Sequence, residues 1–549
     1  MSEIINAPHF PESTPESRSW AHRENLNDNE HAKLEKDGLA ILEEIDRLAG
    51  LPFEEIDRFD VERLKWAGIY AQVPKDGHFL IRIKLPSGKL TADEARVIAG
   101  ISRDYGEHTI QITIRQCIQI HNILLKDVQD IFTRLNEVGL TSVEGCGDVP
   151  RNILGNPLMG IDREEALDTE PIVDALVQEL VGNPAYSNLP RKFKISVSAN
   201  PGDCGFAGIN DLAFVPAILR RAGEHEYGFH VLVGGGLSAQ PMMAHKLSFF
   251  VHDDEVVDVA RAVAILFREY GYREKRNHAR LKFLVDDWGV ERFEKEIENI
   301  TGPLTHGGRE FSRRWNRGAF HGVHKQRQEG LSYVGFNIPA GSMTSEDLLE
   351  FARLAEAYGD GNLRTTNSQN ILLIDIPDEN IGALKKEKHL EKFSIRPGYI
   401  DGYAASCTGN QYCNWAPVET KHRLQDLVDE MQTKFGAELH VPLRVNLTGC
   451  IHSCAHPQIA DIGIMGGLFK EGDRKVPVFT FQVGGSLGKE AKFSDRLLGR
   501  VRAEDLAPAV GNMIQYYIDN RASDREVFYQ FERRVGKEPF QVILDQYKL

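Results

Sequence analysis

The 549-residue chain has no run of about 18 uninterrupted apolar residues, so no membrane span is expected. It has seven cysteines, too few for a disulfide framework at this length. Basic residues are outnumbered, 65 Lys and Arg against 80 Asp and Glu, and the net charge is −15. An acidic chain is a poor general binder of nucleic acid, whose affinity rests on cations displacing phosphate counterions. Neither G-x-G-x-x-G nor G-x-x-x-x-G-K-[ST] occurs; the runs Gly234-Gly235-Gly236 and Gly484-Gly485 match neither, so no nucleotide fingerprint is present. The first ~35 residues lack the apolar centre of a secretory signal. They are polar, rich in Glu, Asn, Pro and Ser, and read as a surface-wrapping arm. These absences point to a cytoplasmic protein in a reducing compartment. What is present is an ordinary globular balance, 42% hydrophobic and 26% charged, enough for a large core.

The chain repeats itself. Leu85-Pro86-Ser87-Gly88 resembles Ile338-Pro339-Ala340-Gly341, and each leads to a threonine, Thr91 or Thr344, followed by acidic residues. Thr ahead of Glu or Asp is a helix-start signal. Tyr105-Gly106 and Tyr358-Gly359, then Gln116 and Gln369, keep the spacing of 253. Pro190–Lys194 aligns with Pro442–Asn446 at 252, which sets Lys194 opposite Asn446. Asn210–Phe214 and Val233-Gly234-Gly235 find partners at 250. Alternating runs such as Phe79–Leu85 and Ile110–Ile114 predict strands; Asp254–Tyr270 and Glu504–Ile518 predict amphipathic helices. The expected fold class is therefore α+β with an internal duplication. The expected parts are an arm and lead-in helix over 1–58, a first repeat over 59–300, a basic linker over 301–330 and a second repeat over 331–549. Two halves facing across a pseudo-two-fold axis leave a cleft suited to a large ligand. A duplication without a shared site is the alternative.

Four cysteines crowd into one stretch: Cys407-x5-Cys413, then Cys450-x3-Cys454. On a helical turn Cys450 and Cys454 would share a face. Four thiolates in two local pairs can hold an iron–sulfur cube or a structural zinc, although zinc favours C-x2-C hairpins, which are missing. Unligated core cysteines are a third reading. Gly409 and Gly449 beside them allow close approach to a bulky group.

At these residues a resemblance appears. Thr448-Gly449-Cys450-x3-Cys454-x6-Asp461-Ile462-Gly463-Ile464 resembles the signature of the nitrite and sulfite reductase haemoprotein family. The likeness runs from about Lys33 onward and includes Lys65–Tyr70, Arg115-Gln116, Gly147–Asn152, Pro190–Lys194, Gly228–Gly236 and His321–His324. It implies an internally duplicated nitrite/sulfite reductase fold, two pseudo-two-fold related halves around a central sirohaem and a [4Fe–4S] cluster. It assigns Cys407, Cys413, Cys450 and Cys454 as cluster ligands, with Cys454 bridging to the sirohaem iron. It assigns Arg115, Arg151, Lys192 and Lys194 to the substrate pocket. Arg forks two N–H bonds onto an oxyanion; Lys offers an ammonium and a proton. Sirohaem carries eight carboxylates, so the basic 309–327 stretch is expected at its edge, through Arg309, Arg317, His321, His324 and Gln326. Tyr70 and Cys146 occupy positions where some members join a Tyr and a Cys covalently. Cys117 and Cys204 read as packing residues.

The implied reaction is six-electron reduction of a small oxyanion, with the redox work done by cofactors. On substrate the signals divide. The stretches 138–142, 155–158, 408–413 and 446–454 resemble ferredoxin-dependent nitrite reductases. Lys194 and His121 resemble the sulfite enzymes, and an added ammonium matters more to the doubly charged anion. Sulfite is therefore favoured slightly, with nitrite-to-ammonia reduction the alternative. With no flavin or nicotinamide site, electrons must come from a partner protein, ferredoxin by resemblance or else a separate flavoprotein subunit. The chain is read as a monomer, with no nucleic-acid or membrane partner. A zinc-stapled binding protein and a precorrin-modifying oxidase are the remaining alternatives; the Arg115, Arg151, Lys192 and Lys194 set speaks against the second.

Overall fold

The computed structural model describes residues 25–74, 76–221, 223–311, 315 and 320–549. Arg317, and with it Arg313 and Arg314, lies outside the described residues.

Two small sheets and two large ones carry the fold, one of each per copy. The first small sheet runs Ile69–Ala71, His78–Ile83, Ile118–Leu124, Thr109–Ile112 and then Ser342–Thr344; the second runs Gly322–Lys325, Leu331–Phe336, Ile371–Pro377, Asn362–Thr365 and then Lys89–Thr91. Each therefore ends on a strand borrowed from the other copy. Met343 pairs with Ile110, and Leu90 with Leu363. Each borrowed strand runs directly into a helix. Thr91 and Glu94 form a capping box that starts Ala92–Tyr105; Thr344 and Asp347 do the same for Ser345–Tyr358. Ile98, Ile112, Leu348, Phe351 and Leu363 share one hydrophobic core, so the two small sheets are a single body.

Gln116 and Gln369 fasten this exchange. Both sit in the left-handed region, at φ 58° and 64°. Gln116 Nε2 donates to the carbonyl of Thr365, and its Oε1 accepts from the Gly155 N–H. Gln369 Nε2 donates to the carbonyl of Ile112, and its Oε1 accepts from the Ser406 N–H. Each amide thus satisfies a backbone group in both copies.

The large sheets have separate cores. In each, three strands run parallel before a long antiparallel hairpin follows: Leu154–Gly155, Ile195–Val197 and Leu212–Arg221 in the first, Ala405–Ser406, Val445–Thr448 and Ile462–Glu471 in the second. The two amphipathic segments are helices Val256–Tyr270 and Leu506–Asn520, two residues later at the start than the sequence predicts. The last strands of the expected linker belong to sheets. Arg309–Glu310 pairs with the first large sheet, and Gly322–Lys325 edges the second small one. The lead-in, from helix Asp28–Glu35 onward, is tied down by buried charges: Glu30 to Arg273 at 2.5 Å, and Lys33 to Glu30 at 2.5 Å and to Asp148 at 3.4 Å.

Strand register corrects the alignment of the repeats. Ile195 pairs with Leu212 and Val445 with Ile462, so the offset here is 250 and Lys194 corresponds to Arg444, not Asn446. Both backbones make the same bond, Lys194 N–H to Asp211 and Arg444 N–H to Asp461. A slip of two preserves the alternation of a strand, so the hydrophobic pattern could not reveal it.

Replacing Gln369 by Leu leaves a buried N–H and a buried C=O without partners, each worth about 1–3 kcal/mol. The variant is expected to unfold at a clearly lower temperature in a thermal scan; an unchanged midpoint would remove the latch from the argument.

Candidate active site

The cysteine pairs lie at the carboxyl ends of parallel strands, where open sheets present their loops to ligands. Cys407 directly follows Ala405–Ser406, and Cys450 lies two residues past Val445–Thr448. Gly409, at φ 73°, lets the first loop turn back; a Cβ on Gly449 would stand 2.7 Å from that of Ala416. The Cys450–Cys454 segment is a turn rather than the helical face the spacing suggests, with Ser453 at φ 57°. The Gly449 N–H donates to Cys407 Sγ at 3.2 Å. The four sulfurs are near neighbours, since Cys450 feels the charge of Cys454, Cys407 and Cys413 together. Burial, with these like charges, pushes Cys450 up to about 12 and raises Cys407 and Cys413. Thiolates so placed need a cationic centre. Among the described residues no three His, Cys, Asp or Glu side chains gather tightly enough to hold a single ion. A cube asks for something wider, because each thiolate meets a different iron. Cys454 is the exposed member of the quartet.

Facing Cys454 is a group of cations from the first copy. Lys192 and Arg82 both feel its charge. Arg115 donates to Asn210 Oδ1 at 3.0 Å and to the carbonyl of Asn152 at 2.6 Å; Arg151 grips the carbonyl of Gly147 at 2.7 Å. Lys194 lies beside Lys192, Arg115 and Arg280. The structure thus brings Arg115, Arg151, Lys192 and Lys194 together, and adds Arg82, which sequence reasoning passed over. Its signal was available: Arg82 is the cation in the apolar alternation Phe79–Ile83 that faces inward. Arg82 donates to the carbonyl of Gly145 at 3.2 Å and to Gln119 at 3.1 Å. Among the described residues none of the five forms an ion pair, and the buried Nε atoms of Arg82 and Arg115 and Oδ1 of Asn152 have no partner. A pocket with surplus donors and no carboxylate fits a polycarboxylate macrocycle and a small oxyanion. Tyr70 and Cys146 both lie in the field of Arg82 and of Arg151, consistent with a place beside that group. A cavity lined by Tyr70, Gly147 and Arg151 adjoins them, and on its wall Asp148 pairs with Arg191 and Arg276.

Among the described residues, no contact brings Arg309, His321, His324 or Gln326 to this pocket. Arg309 is exposed on its short strand. His321 bonds to the carbonyl of Gly402 at 2.6 Å, and His324 stacks on Tyr333. Gln326 is buried, but its amide is bound to Asp375, accepting from the N–H at 2.7 Å and donating to Oδ1 at 2.7 Å. These side chains do structural work, which a basic composition cannot distinguish from cofactor contact.

Electrostatics sets the pocket's protonation. Burial first, then Arg280 and Arg191, lower Lys192 to about 7; burial and Lys192 hold Lys194 well below its ordinary value. Burial lowers Arg115 to about 10. Lys192 is therefore ammonium below about pH 7 and loses its proton above it, so an entering anion brings a proton with it on the alkaline side. Nitrite affinity, followed by optical titration of the holoenzyme, is expected to weaken as pH rises from 7 to 9, by at most about tenfold per unit. Lys192→Arg should flatten the dependence; an equally steep profile would exonerate Lys192.

Comparison with known proteins follows the same map. A family model for the nitrite and sulphite reductase 4Fe-4S domain matches residues 146–302 and 403–548. One for the nitrite/sulfite reductase ferredoxin-like half domain matches 71–138 and 324–389. The chain is 38% identical over 507 residues to a ferredoxin–nitrite reductase of Synechococcus elongatus, covering 91% of this chain and 98% of that one. It is 35% identical over 564 residues to sulfite reductase [ferredoxin] 1 of Mycolicibacterium paratuberculosis, covering 96% and 99%. The solved structure of the Mycobacterium tuberculosis NirA protein superposes with a TM-score of 0.89 at 33% identity, covering 95% of this chain and 99% of that one.

Proposed function

The chain belongs to the nitrite and sulfite reductase family, oxidoreductases built around sirohaem and a [4Fe–4S] cluster, and we propose that it reduces sulfite to sulfide with electrons from ferredoxin. The observation that carries this reading is Lys194, seated beside Lys192 and Arg115 in the anion pocket. A doubly charged anion gains more from a second ammonium than a singly charged one does. Reduction of nitrite to ammonia is the second reading, supported by relatives named ferredoxin–nitrite reductase.

Cys407, Cys413, Cys450 and Cys454 would hold the cluster, and Cys454, whose charge reaches Lys192 and Arg82, would be its ligand on the side of the cation pocket. When bound, the pair would carry electrons to the oxyanion. This chain's residues do the rest. Arg115, Arg151 and Arg82 fix the oxyanion and neutralise its charge. Lys192, lowered to about 7, and Lys194, held well below its ordinary value by burial and Lys192, take up protons as the anion enters and hold them beside its oxygens, which must leave as water.

Electron delivery favours a donor docking over the cluster. Trp415 and Ile451, 62% and 56% exposed, stand next to the ligand loops. Residues 402–418 and 445–460 carry no Asp, Glu, Lys or Arg, so an acidic donor meets no repulsion there despite the chain's net charge of −15. No helix among the described residues is long and apolar enough to cross a membrane; the maize relative is named chloroplastic.

Purified protein should show the sirohaem visible spectrum and oxidise reduced ferredoxin when sulfite is added. In Lys194→Asn the ratio of kcat/KM for sulfite to that for nitrite should fall about tenfold or more, the effect of losing roughly 1.4 kcal/mol of selective attraction. An unchanged ratio defeats the charge argument and leaves nitrite as the better reading.

A further inference from the structure

The first cysteine pair is followed by a helix that begins with a buried lysine. Helix Lys421–Phe435, 15 residues long, starts from Thr420. The Thr420 hydroxyl donates to the Cys407 carbonyl at 2.7 Å and lies 3.8 Å from Cys407 Sγ, so the positive end of the helix sits at the cysteine loop. Lys421 is 5% exposed, and its Nζ donates to the carbonyl of Ala340. Among the described residues it forms no ion pair. Glu419, the carboxylate whose charge it feels, accepts instead from the N–H groups of His422 and Arg423, both at 2.9 Å.

Every local rule opposes a cation here. Burial disfavours the charge, the helix start repels it, and no carboxylate neutralises it. Burial lowers Lys421 to about 8 while the Cys407 thiolate holds it up, so it is an ammonium at neutral pH. The first copy obeys the rules. Its corresponding helix, Glu170–Leu180, follows Thr169, and Thr169 and Thr420 are 251 residues apart. That is also the spacing of Asn156 and Cys407, each the first residue after a parallel strand. This helix begins with an acid, Glu170, which pairs with Lys89 just past the turn at Ser87. The turn at Ala340 is the counterpart, with φ 49° against 53° at Ser87. The charge is thus reversed in the copy that holds the cysteines. Its field also reaches behind the ligand loop, to His121, whose ring stacks at 3.9 Å on Tyr412 between Cys407 and Cys413. Burial, then Lys421, lower His121 to about 3, so His121 adds no charge of its own.

We propose that the Lys421 ammonium, at the start of its helix, raises the reduction potential of the iron–sulfur cluster and so makes it a better acceptor for the donor's electrons. The inference rests on the reading that Cys407, Cys413, Cys450 and Cys454 hold that cluster. Each electron that arrives leaves the donor oxidised by one electron and adds one negative charge beside Cys407. No bond to Lys421 forms or breaks, and its proton stays in place. A fixed cation nearby stabilises the more negative state. A charge that is unfavourable in the bare fold is thereby offset by the anionic group it faces.

The test is a redox titration of the holoenzyme, following the EPR signal of the reduced cluster, in wild type, Lys421→Gln, Lys421→Met and Lys421→Arg. Gln keeps a donor for the Ala340 carbonyl without the charge, Met keeps neither, and Arg keeps both. In Lys421→Gln and Lys421→Met the midpoint is expected to fall by the equivalent of about tenfold in the oxidised-to-reduced ratio, about 59 mV for one electron. Lys421→Arg is expected to stay near wild type. A loop loosened enough to admit water would move the midpoint upward, because water favours the more negative state, so structural damage carries the opposite sign. Removing an unpaired buried charge favours folding, and one folded neutral variant suffices to decide. An unmoved or raised midpoint in either neutral variant overturns the proposal, as does a fall in Lys421→Arg as large as in Lys421→Gln. Wild type without a cluster signal would overturn the reading of the four cysteines as well; a signal indifferent to Lys421 overturns this proposal alone.

Discussion

Five cations packed into one pocket without a carboxylate partner are the constraint around which this molecule is arranged. Isolated buried charge is among the least favourable things a fold can contain, and a protein relieves it by neutralising the group or by supplying an anion. The lysines are lowered by burial, and the Nε atoms of Arg82 and Arg115 are buried without a partner. Where the structure has a carboxylate to offer, it places it behind the pocket. Asp211 binds Arg280 through both oxygens at 2.8 Å and holds the Lys194 backbone, so it fixes geometry without discharging the ammonium.

Such crowding needs a rigid frame, and duplication supplies it. Arg151, Lys192 and Lys194 precede the first copy's parallel strands, and Arg82 and Arg115 come from its small sheet; the cysteines follow the carboxyl ends of the second copy's parallel strands. The two copies thus contribute different chemistry from different parts of one architecture. The shared core of the small sheets, and the two glutamines that bond into both copies, set the distance between them.

Much of this was legible in the sequence. The repeat, the helices with capping boxes and the grouping of the cysteines follow from periodicity and spacing, because each is a local signal repeated at long range. Four of the five pocket cations were legible only through family likeness; as bare residues, Lys192 and Lys194 are indistinguishable from surface charge. Arg82 escaped because one cation in an apolar strand is easily passed over as solvated. The register slip at Lys194 and the exchange of edge strands were invisible for a common reason: pairing is decided between segments hundreds of residues apart, and alternation alone carries no address. Composition reports charge and says nothing about direction, so it could not foresee that the amide of Gln326 turns to Asp375.

The borrowed edge strands bear on how the chain is made. During vectorial synthesis the first small sheet can pair four strands soon after Leu124 emerges, yet the partner for Thr109–Ile112 is Ser342–Thr344. Until more than two hundred further residues have left the ribosome, that sheet keeps an open edge of unpaired backbone groups. Nascent chains of intermediate length are therefore the natural clients of holding chaperones, and separate expression of either half would leave the same edge permanently bare.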